Sequence, residues 1–284
     1  MKDAFMSSPN RTCDYALAAI DIDETLIGPD KKIGPENRRS IARLQSLGCR
    51  VVLASGRRHE NMLPYCRTLG LDDFVVSSQG ARVQHATTGE ILHRAEINPS
   101  EAAPLVVEGL ERGFTVLLWL ADRVFARERT RWVDAYERLC DDPVEFVDLS
   151  SLADRPAEKV IWIAEPGVIA ATAEAMRSRL RDALLTTITE PWSLEFSAPE
   201  ANKREGVAAL ARHLGIRREA VLAFGDGNND AEMLAWAGMG VAMPHGRPSA
   251  HAAARIIAPE GDRESALARG IEEALRRASG VKVA

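Results

Sequence analysis

The sequence predicts an α/β protein: a doubly wound, Rossmann-like parallel-sheet core interrupted by a second α/β domain. Three observations support this. Short apolar runs of strand length alternate with helix-like segments at both ends of the chain. The first such run and one near the far end both stop at aspartates. The alternation lapses after Gly80 and resumes at Asn202, which is the pattern of an insertion.

The run Tyr15-Ala16-Leu17-Ala18-Ala19-Ile20 leads into Asp21-Ile22-Asp23. If extended geometry persists through Asp23, side chains at i and i+2 share a face and both carboxyl groups aim at one point beyond the sheet edge. Anions held that close repel unless a proton or a divalent hard cation lies between them. The same two residues also fit ordinary turn acids after a strand. Gly34-Pro35 opens a helix with Ile41, Leu44 and Leu47 on one face, and Gly48 closes it. Arg50 to Ala54 reads as a buried strand running into Ser55-Gly56-Arg57. A helix from about Arg57 to Leu69 and a strand from Phe74 to Ser77 follow. This succession predicts parallel strands with right-handed crossovers, and ligands then collect beyond the strand ends where Asp21, Asp23 and Ser55 lie.

The middle region reads differently. Ala81 to Ala95 fits a hairpin about Thr88-Gly89, and Pro99 to Arg112 a helix. Phe114 to Leu120 and Arg123 to Ala126 fit strands joined by a tight turn at Ala121-Asp122. Arg129 to Leu139 and Val168 to Leu180 fit helices; Lys159 to Ala164, Leu184 to Thr189 and Ser193 to Ser197 fit strands. No strand-end acid pair occurs here, so residues 82–190 are read as the insert and 1–81 with 191–284 as the core. Trp119, Trp132, Trp162 and Trp192 fall in this region, where aromatic residues more often pack a core than touch a substrate.

Asn202-Lys203-Arg204-Glu205 resembles a capping box at the start of a helix running to Gly215. Cations in a first turn oppose the helix dipole, so Lys203 and Arg204 either face an anion or point into water. Ala220 to Phe224 is the next strand, followed by Gly225-Asp226-Gly227-Asn228-Asn229-Asp230. A dinucleotide fingerprint fails because its third glycine position is Asp230, and no Walker A sequence is present. Asp226 instead joins Asp21 and Asp23 as a third strand-end acid, the donor set that Mg²⁺ needs. His245, in Pro244-His245-Gly246, reads as a loop histidine, and the last helix spans about Arg263 to Ala278.

Composition narrows the function. The 284 residues carry a net charge of -5 and 46% hydrophobic content, which favours a soluble protein and argues against a nucleic-acid partner. Cys13, Cys49, Cys66 and Cys140 form no Cys-x-x-Cys pair, so neither a zinc site nor a disulfide framework is indicated. No secretory leader and no run near the ~20 apolar residues of a membrane span is visible, and a cytoplasmic location is expected.

Taken together, Asp21-x-Asp23-x-Thr25, Ser55-Gly56-Arg57, Lys203 and Gly225-Asp226-x-x-Asn229-Asp230 resemble the four motifs of the haloacid dehalogenase superfamily of phosphatases. The insertion between the second and third motifs resembles the cap of its Cof-type subclass, IIB. The resemblance implies a Mg²⁺-dependent phosphatase acting on a small phosphorylated metabolite, with sugar phosphates the family-level default. It implies Asp21 as nucleophile and Asp23 as general acid and base. Ser55, Gly56 and Lys203 would bind phosphoryl oxygens, and Asp21, the main-chain carbonyl of Asp23, and Asp226 would hold the metal. Thr25, Asn229 and Asp230 would support that shell, and the cap would select the leaving group. Four positions depart from the subclass pattern: Glu24 stands where glycine is usual, Gln79 for asparagine, Arg204 for glycine, and His245-Gly246 for Asn-Ala. A phosphomutase uses the same motifs, and a signalling receiver also groups acids, a hydroxyl and a lysine. Motif order and an insertion of ~110 residues argue against the receiver.

Overall fold

A computed structural model describes residues 13–120, 123–181 and 183–278. The expected turn at Ala121-Asp122 and the first residues, 1–12, lie outside the described residues. The chain forms two compact units: residues through His93 together with those from Asn202 onward, and Arg94–Ala201.

The elements run in order. The first unit begins with β1 (Leu17–Ile20), α1 (Pro35–Ser46), β2 (Arg50–Leu53), α2 (His59–Leu69), β3 (Phe74–Ser77), β4 (Arg82–His85) and β5 (Ile91–Arg94). The second contains α3 (Pro99–Glu111), β6 (Thr115–Trp119), β7 (Val124–Ala126), α4 (Arg131–Cys140), β8 (Val144–Phe146), β9 (Lys159–Ile163), α5 (Pro166–Leu180), β10 (Leu185–Glu190) and β11 (Ser193–Ser197). The first unit resumes with α6 (Lys203–His213), β12 (Val221–Gly225), α7 (Ala231–Trp236), β13 (Met239–Ala242), α8 (Pro248–Ala253), β14 (Ile256–Ile257) and α9 (Ala266–Ala278).

The first unit is built on a parallel sheet in the order β14-β13-β12-β1-β2. Strand alternation explains its core. Ala18 and Ile20 of β1 pack on one face with Ile41 and Leu44 of α1 and Ile271 and Leu275 of α9. Leu17 and Ala19 pack on the other face with Val207 and Leu210 of α6 and Met233 and Leu234 of α7. A strand buried on both faces cannot alternate in polarity, which is why β1 reads as one apolar run. Truncating Leu44 to alanine would cost ~2–5 kcal/mol by transfer and cavity formation.

The reading placed β3 in this sheet, but it meets the sheet through a single parallel bridge, Ala54 to Val76. Its main partner is β4, in a three-stranded sheet ordered β3-β4-β5. Val83 of β4 lies in the first unit's core. The seams therefore fall at Arg94 and Ala201 rather than at 82 and 190. The hairpin belongs to the first unit through β3, and β11 belongs to the second through its pairing with β9 and β10. Gly80, at φ 94°, closes the turn between β3 and β4; a Cβ there would sit 2.1 Å from the Asn202 carbonyl. Only glycine lets that turn lie against the start of α6.

The second unit has its own six-stranded sheet, β10-β11-β9-β6-β7-β8, antiparallel except where β7 meets β8. Residues of α3 and α5 cover one face and α4 the other. Trp162 is fully buried, donates its indole N–H to the Leu105 carbonyl at 2.9 Å and meets Phe196 edge-on. Trp119 is also buried, and the partly buried Trp132 and Trp192 stack 5.9 Å apart against the α4 side of the sheet. Trp119 and Trp162 thus pack as core on their strands, while Trp132 and Trp192 lie against the edge of that core. No helix among the described residues is long and apolar enough to cross a membrane.

Candidate active site

The acids sit where the central strands stop. The β1 strand ends at Ile20, held by the Asp21 amide donating to the Phe224 carbonyl at 3.0 Å, and the chain then turns through Ile22 to Ile27. Asp21 is 5% exposed. Across from it, α6 starts at Lys203 because the Asn202 side chain accepts the Glu205 amide at 2.9 Å, the N-cap that the sequence indicates. Lys203 is buried, and its ammonium lies 2.5 Å from Asp21 Oδ1 and 2.6 Å from Asp230 Oδ1. Of the two cations in that first turn, Lys203 faces the acids while Arg204 is partly exposed and pairs with Glu205.

Asp230 is fully buried and saturated. Its Oδ2 accepts the amides of Asp226 and Gly227 at 3.0 and 2.8 Å, which shapes the loop after β12, while Oδ1 serves Lys203. Asp226 is oriented by Thr25, whose hydroxyl donates to Oδ1 at 3.1 Å. One carboxylate oxygen from each of Asp21, Asp226 and Asp230 lies within 4.8 Å of the others.

Electrostatics favours a further cation. Burial, followed by the charges of Asp230 and Asp226, raises the Asp21 pKa well above the ordinary carboxylate range, with Lys203 opposing. Burial alone pulls the Lys203 pKa down, but Asp21 and Asp230 outweigh it and raise the net value, so the ammonium stays charged. The two shifts bear on one contact: the lysine is secure as a cation, and Asp21 is the partner under stress. Burial and then Asp230 push the Asp226 carboxyl up to about 6. Three acids facing one lysine leave an excess negative charge, and two of them, Asp21 and Asp226, have oxygens that Asp230 lacks to spare. Hard oxygen donors with that charge deficit fit Mg²⁺.

Asp23 departs from the expectation. Its carboxylate does not converge with that of Asp21, because the chain leaves strand geometry after Ile20 and Arg57 captures the side chain. The guanidinium donates from Nε and NH2 to the two oxygens of Asp23 at 2.9 and 2.7 Å, and it also lies over the Tyr65 ring. Ser55 is buried at the end of β2, its Oγ accepting the Arg57 amide at 3.2 Å. Asn229 is exposed and donates to Gln79 Oε1 at 3.0 Å, while the Gln79 amide nitrogen lies against Gly56. Thus Asp21, Lys203, Asp230, Asp226 and Thr25 form one cluster. Asp23 is tied to the Ser55 loop, and Asn229 to the turn after β3.

Five residues around the cluster carry no role in the sequence reading. Arg57 lay within a motif but had no stated partner. Glu24 adopts φ 61°, the left-handed region that costs a side-chain-bearing residue roughly 1–2 kcal/mol, which gives a reason for glycine at this position in the family. Ser78 and Gln79 are left-handed too, at φ 51° and 60°. His245, read as a loop histidine, contacts the Glu24 carbonyl. The signal was the departure from the family pattern at Glu24, Gln79 and His245.

A carboxylate held by a buried lysine at a strand exit, with further acids beside it on a doubly wound sheet, fits the site of a phosphoryl-transfer hydrolase. A model of the haloacid dehalogenase-like hydrolase family matches residues 18–271, and the chain belongs to that family. It is similar to an HMP-PP phosphatase from Cronobacter sakazakii, 28% identical over 238 residues that cover 82% of this chain and 85% of that protein. A haloacid dehalogenase-like hydrolase from Bacteroides thetaiotaomicron superimposes with a TM-score of 0.82 at 26% identity, covering 92% of this chain and 99% of that one. A subclass IIB sugar phosphatase shares the fold, with a TM-score of 0.75 at 19% identity over 93% of this chain and 99% of the other.

Proposed function

We propose that this phosphoric monoester hydrolase cleaves a small phosphorylated metabolite, a sugar phosphate or similar ester, through an aspartyl-phosphate on Asp21. The observation that supports it most is the buried Lys203 ammonium 2.5 Å from Asp21, which orients the carboxylate and offers positive charge where phosphoryl oxygens would sit. Asp21 attacks phosphorus in line and the ester oxygen leaves, taking a proton from Asp23. Asp23 then takes a proton from water as it attacks the phosphoryl group, which releases inorganic phosphate and restores Asp21. Ser55, the Gly56 amide and Lys203 bind the phosphoryl oxygens. Asp21, the Asp23 carbonyl and Asp226 would hold Mg²⁺, which when bound would supply the charge that lets one anion approach another. Thr25 and Asp230 keep Asp226 and Lys203 in place.

Asp23 enters the reaction from an ion pair with Arg57, so the guanidinium must release the carboxylate before it can reach the leaving group. The likeness to an HMP-PP phosphatase and to a sugar phosphatase agrees with a small phosphate ester as substrate. Incubating the protein and Mg²⁺ with a panel of phosphorylated metabolites tests the reading. Release of inorganic phosphate is expected, and transfer of the phosphoryl group to a second hydroxyl with no phosphate release would make it a mutase instead.

A further inference from the structure

We propose that His245 is a positioning residue for this reaction: it donates from Nε2 to the main-chain carbonyl of Glu24 and so ties the turn that carries Asp23 to the loop that carries Asp226. The inference rests on the phosphatase reading above.

His245 Nε2 lies 2.6 Å from the Glu24 oxygen, and a carbonyl can only accept, so the ring carries its proton on Nε2. The loop that presents the ring is itself fixed. Met243 donates its amide to Gly225 at 3.0 Å, Gly246 to Met243 at 2.9 Å and Arg247 to the Asp226 carbonyl at 2.7 Å, and His251 Nε2 meets the Met243 carbonyl at 2.8 Å. Gly246 is required for this closeness, since a Cβ there would lie 3.1 Å from the Asp226 oxygen and 2.9 Å from that of Met243. His245 is therefore mounted on the frame of Asp226.

The other end of the tie is a strained residue. Glu24 follows Asp23 directly and holds φ 61° without being glycine, a conformation that persists only where its surroundings impose it. The turn's own hydrogen bonds, Leu26 to Asp21 at 3.2 Å and Ile27 to Ile22 at 3.0 Å, close the backbone around it. From outside the turn two groups hold it: His245 at the carbonyl and Arg263, whose guanidinium pairs with the Glu24 carboxylate. The Arg263 pair is half exposed and constrains little, which leaves His245 as the main restraint from outside the turn. Two departures from the family pattern, Glu24 and His245, thus meet each other. Asp23 must transfer a proton at one defined point, so the turn that aims it gains from being pinned.

The test uses single-turnover release of the leaving group from p-nitrophenyl phosphate and phenyl phosphate. The first ester needs little protonation to depart and the second needs more. For His245→Ala, phenol release is expected to slow about 10-fold or more while p-nitrophenol release stays within about twofold. His245→Gln, whose amide nitrogen reaches a similar point, should recover phenol release. Equal slowing on both esters would assign His245 a merely structural role and overturn the proposal, as would no slowing on either or a His245→Gln protein as slow as His245→Ala. If the native protein cleaves neither ester, the phosphatase reading fails first and the proposal falls with it, an outcome distinct from a failure confined to the variants.

Discussion

Lys203 and Asp230 form a fully buried ion pair, with Nζ 2.6 Å from Oδ1, and the other carboxylate oxygen of Asp230 holds the backbone of Asp226 and Gly227. The pair therefore links the buried lysine to the loop that places Asp226. Removing the lysine leaves buried, uncompensated carboxylates. Lys203→Ala is expected to lower kcat/KM by at least ~3 kcal/mol in transition-state stabilisation and to destabilise the fold by ~3–5 kcal/mol. Steady-state kinetics and thermal melts check both. A variant with a native rate would place Lys203 outside the chemistry.

Stability should depend on pH and Mg²⁺ in a linked way. The Asp226 carboxyl, pushed up to about 6 by burial and then by Asp230, titrates above its unfolded value of 3.8. A carboxyl raised in the folded state favours the protonated fold, so this contribution is present at low pH and is lost as pH rises through about 6. Above that, the metal-free protein bears a cost of about 3 kcal/mol. Bound Mg²⁺ would relieve it by taking the place of the proton. Melting temperatures measured with Mg²⁺ and with chelator should differ most at pH 8 and converge near pH 5; a gap that persists unchanged at pH 5 would contradict the linkage.

The two leading acids separate by labelling. Asp21→Asn should abolish turnover and any covalent phosphoryl intermediate, because an amide is a poor nucleophile. Asp23→Asn keeps its main-chain carbonyl but cannot shuttle a proton. It should still be phosphorylated by an activated ester and then dephosphorylate slowly. Rapid quench with a labelled donor and peptide mapping should find label on Asp21 in the Asp23 variant. Label on Asp23 or Asp226 would reassign the roles.

How much of this was legible in the sequence depends on where the signal was local. Asp21 and Asp226 stood out because each ends an apolar strand, and Lys203 because an asparagine cap and a glutamate three residues on fix where its helix starts. The Arg57–Asp23 pair was not visible, since it joins residues from two strand exits whose orientation depends on the turn after Ile20. Nor was the strain at Glu24, because its φ belongs to a turn closed by its own hydrogen bonds and by a carbonyl contact from His245, 221 positions away. The hairpin β4–β5 was assigned to the insert because a departure from parallel grammar looks the same whether it pairs inward or outward. The three-residue β8 and the six-residue α8 are too short for periodicity to register.

The division into units makes its own prediction. Among the described residues, each hydrophobic cluster lies within one unit: two in the first and two in the second. Replacing Arg94–Ala201 with a short Gly/Ser linker should therefore leave a protein that unfolds cooperatively and still hydrolyses p-nitrophenyl phosphate. Loss of a cooperative melt would show that the first unit's core does not suffice by itself.

The seam after Ala201 precedes Asn202, the cap of the helix that starts with Lys203. For exchange of genetic material between relatives this sets a natural crossover point. A breakpoint before Asn202 transfers the cap, the lysine and the helix as one piece, so the insert can diverge or be replaced wholesale while the charge centre is inherited intact. A breakpoint one residue later separates the cap from the helix it starts. The insert is thus free to vary right up to the cap, and selection on the catalytic lysine should begin at Asn202.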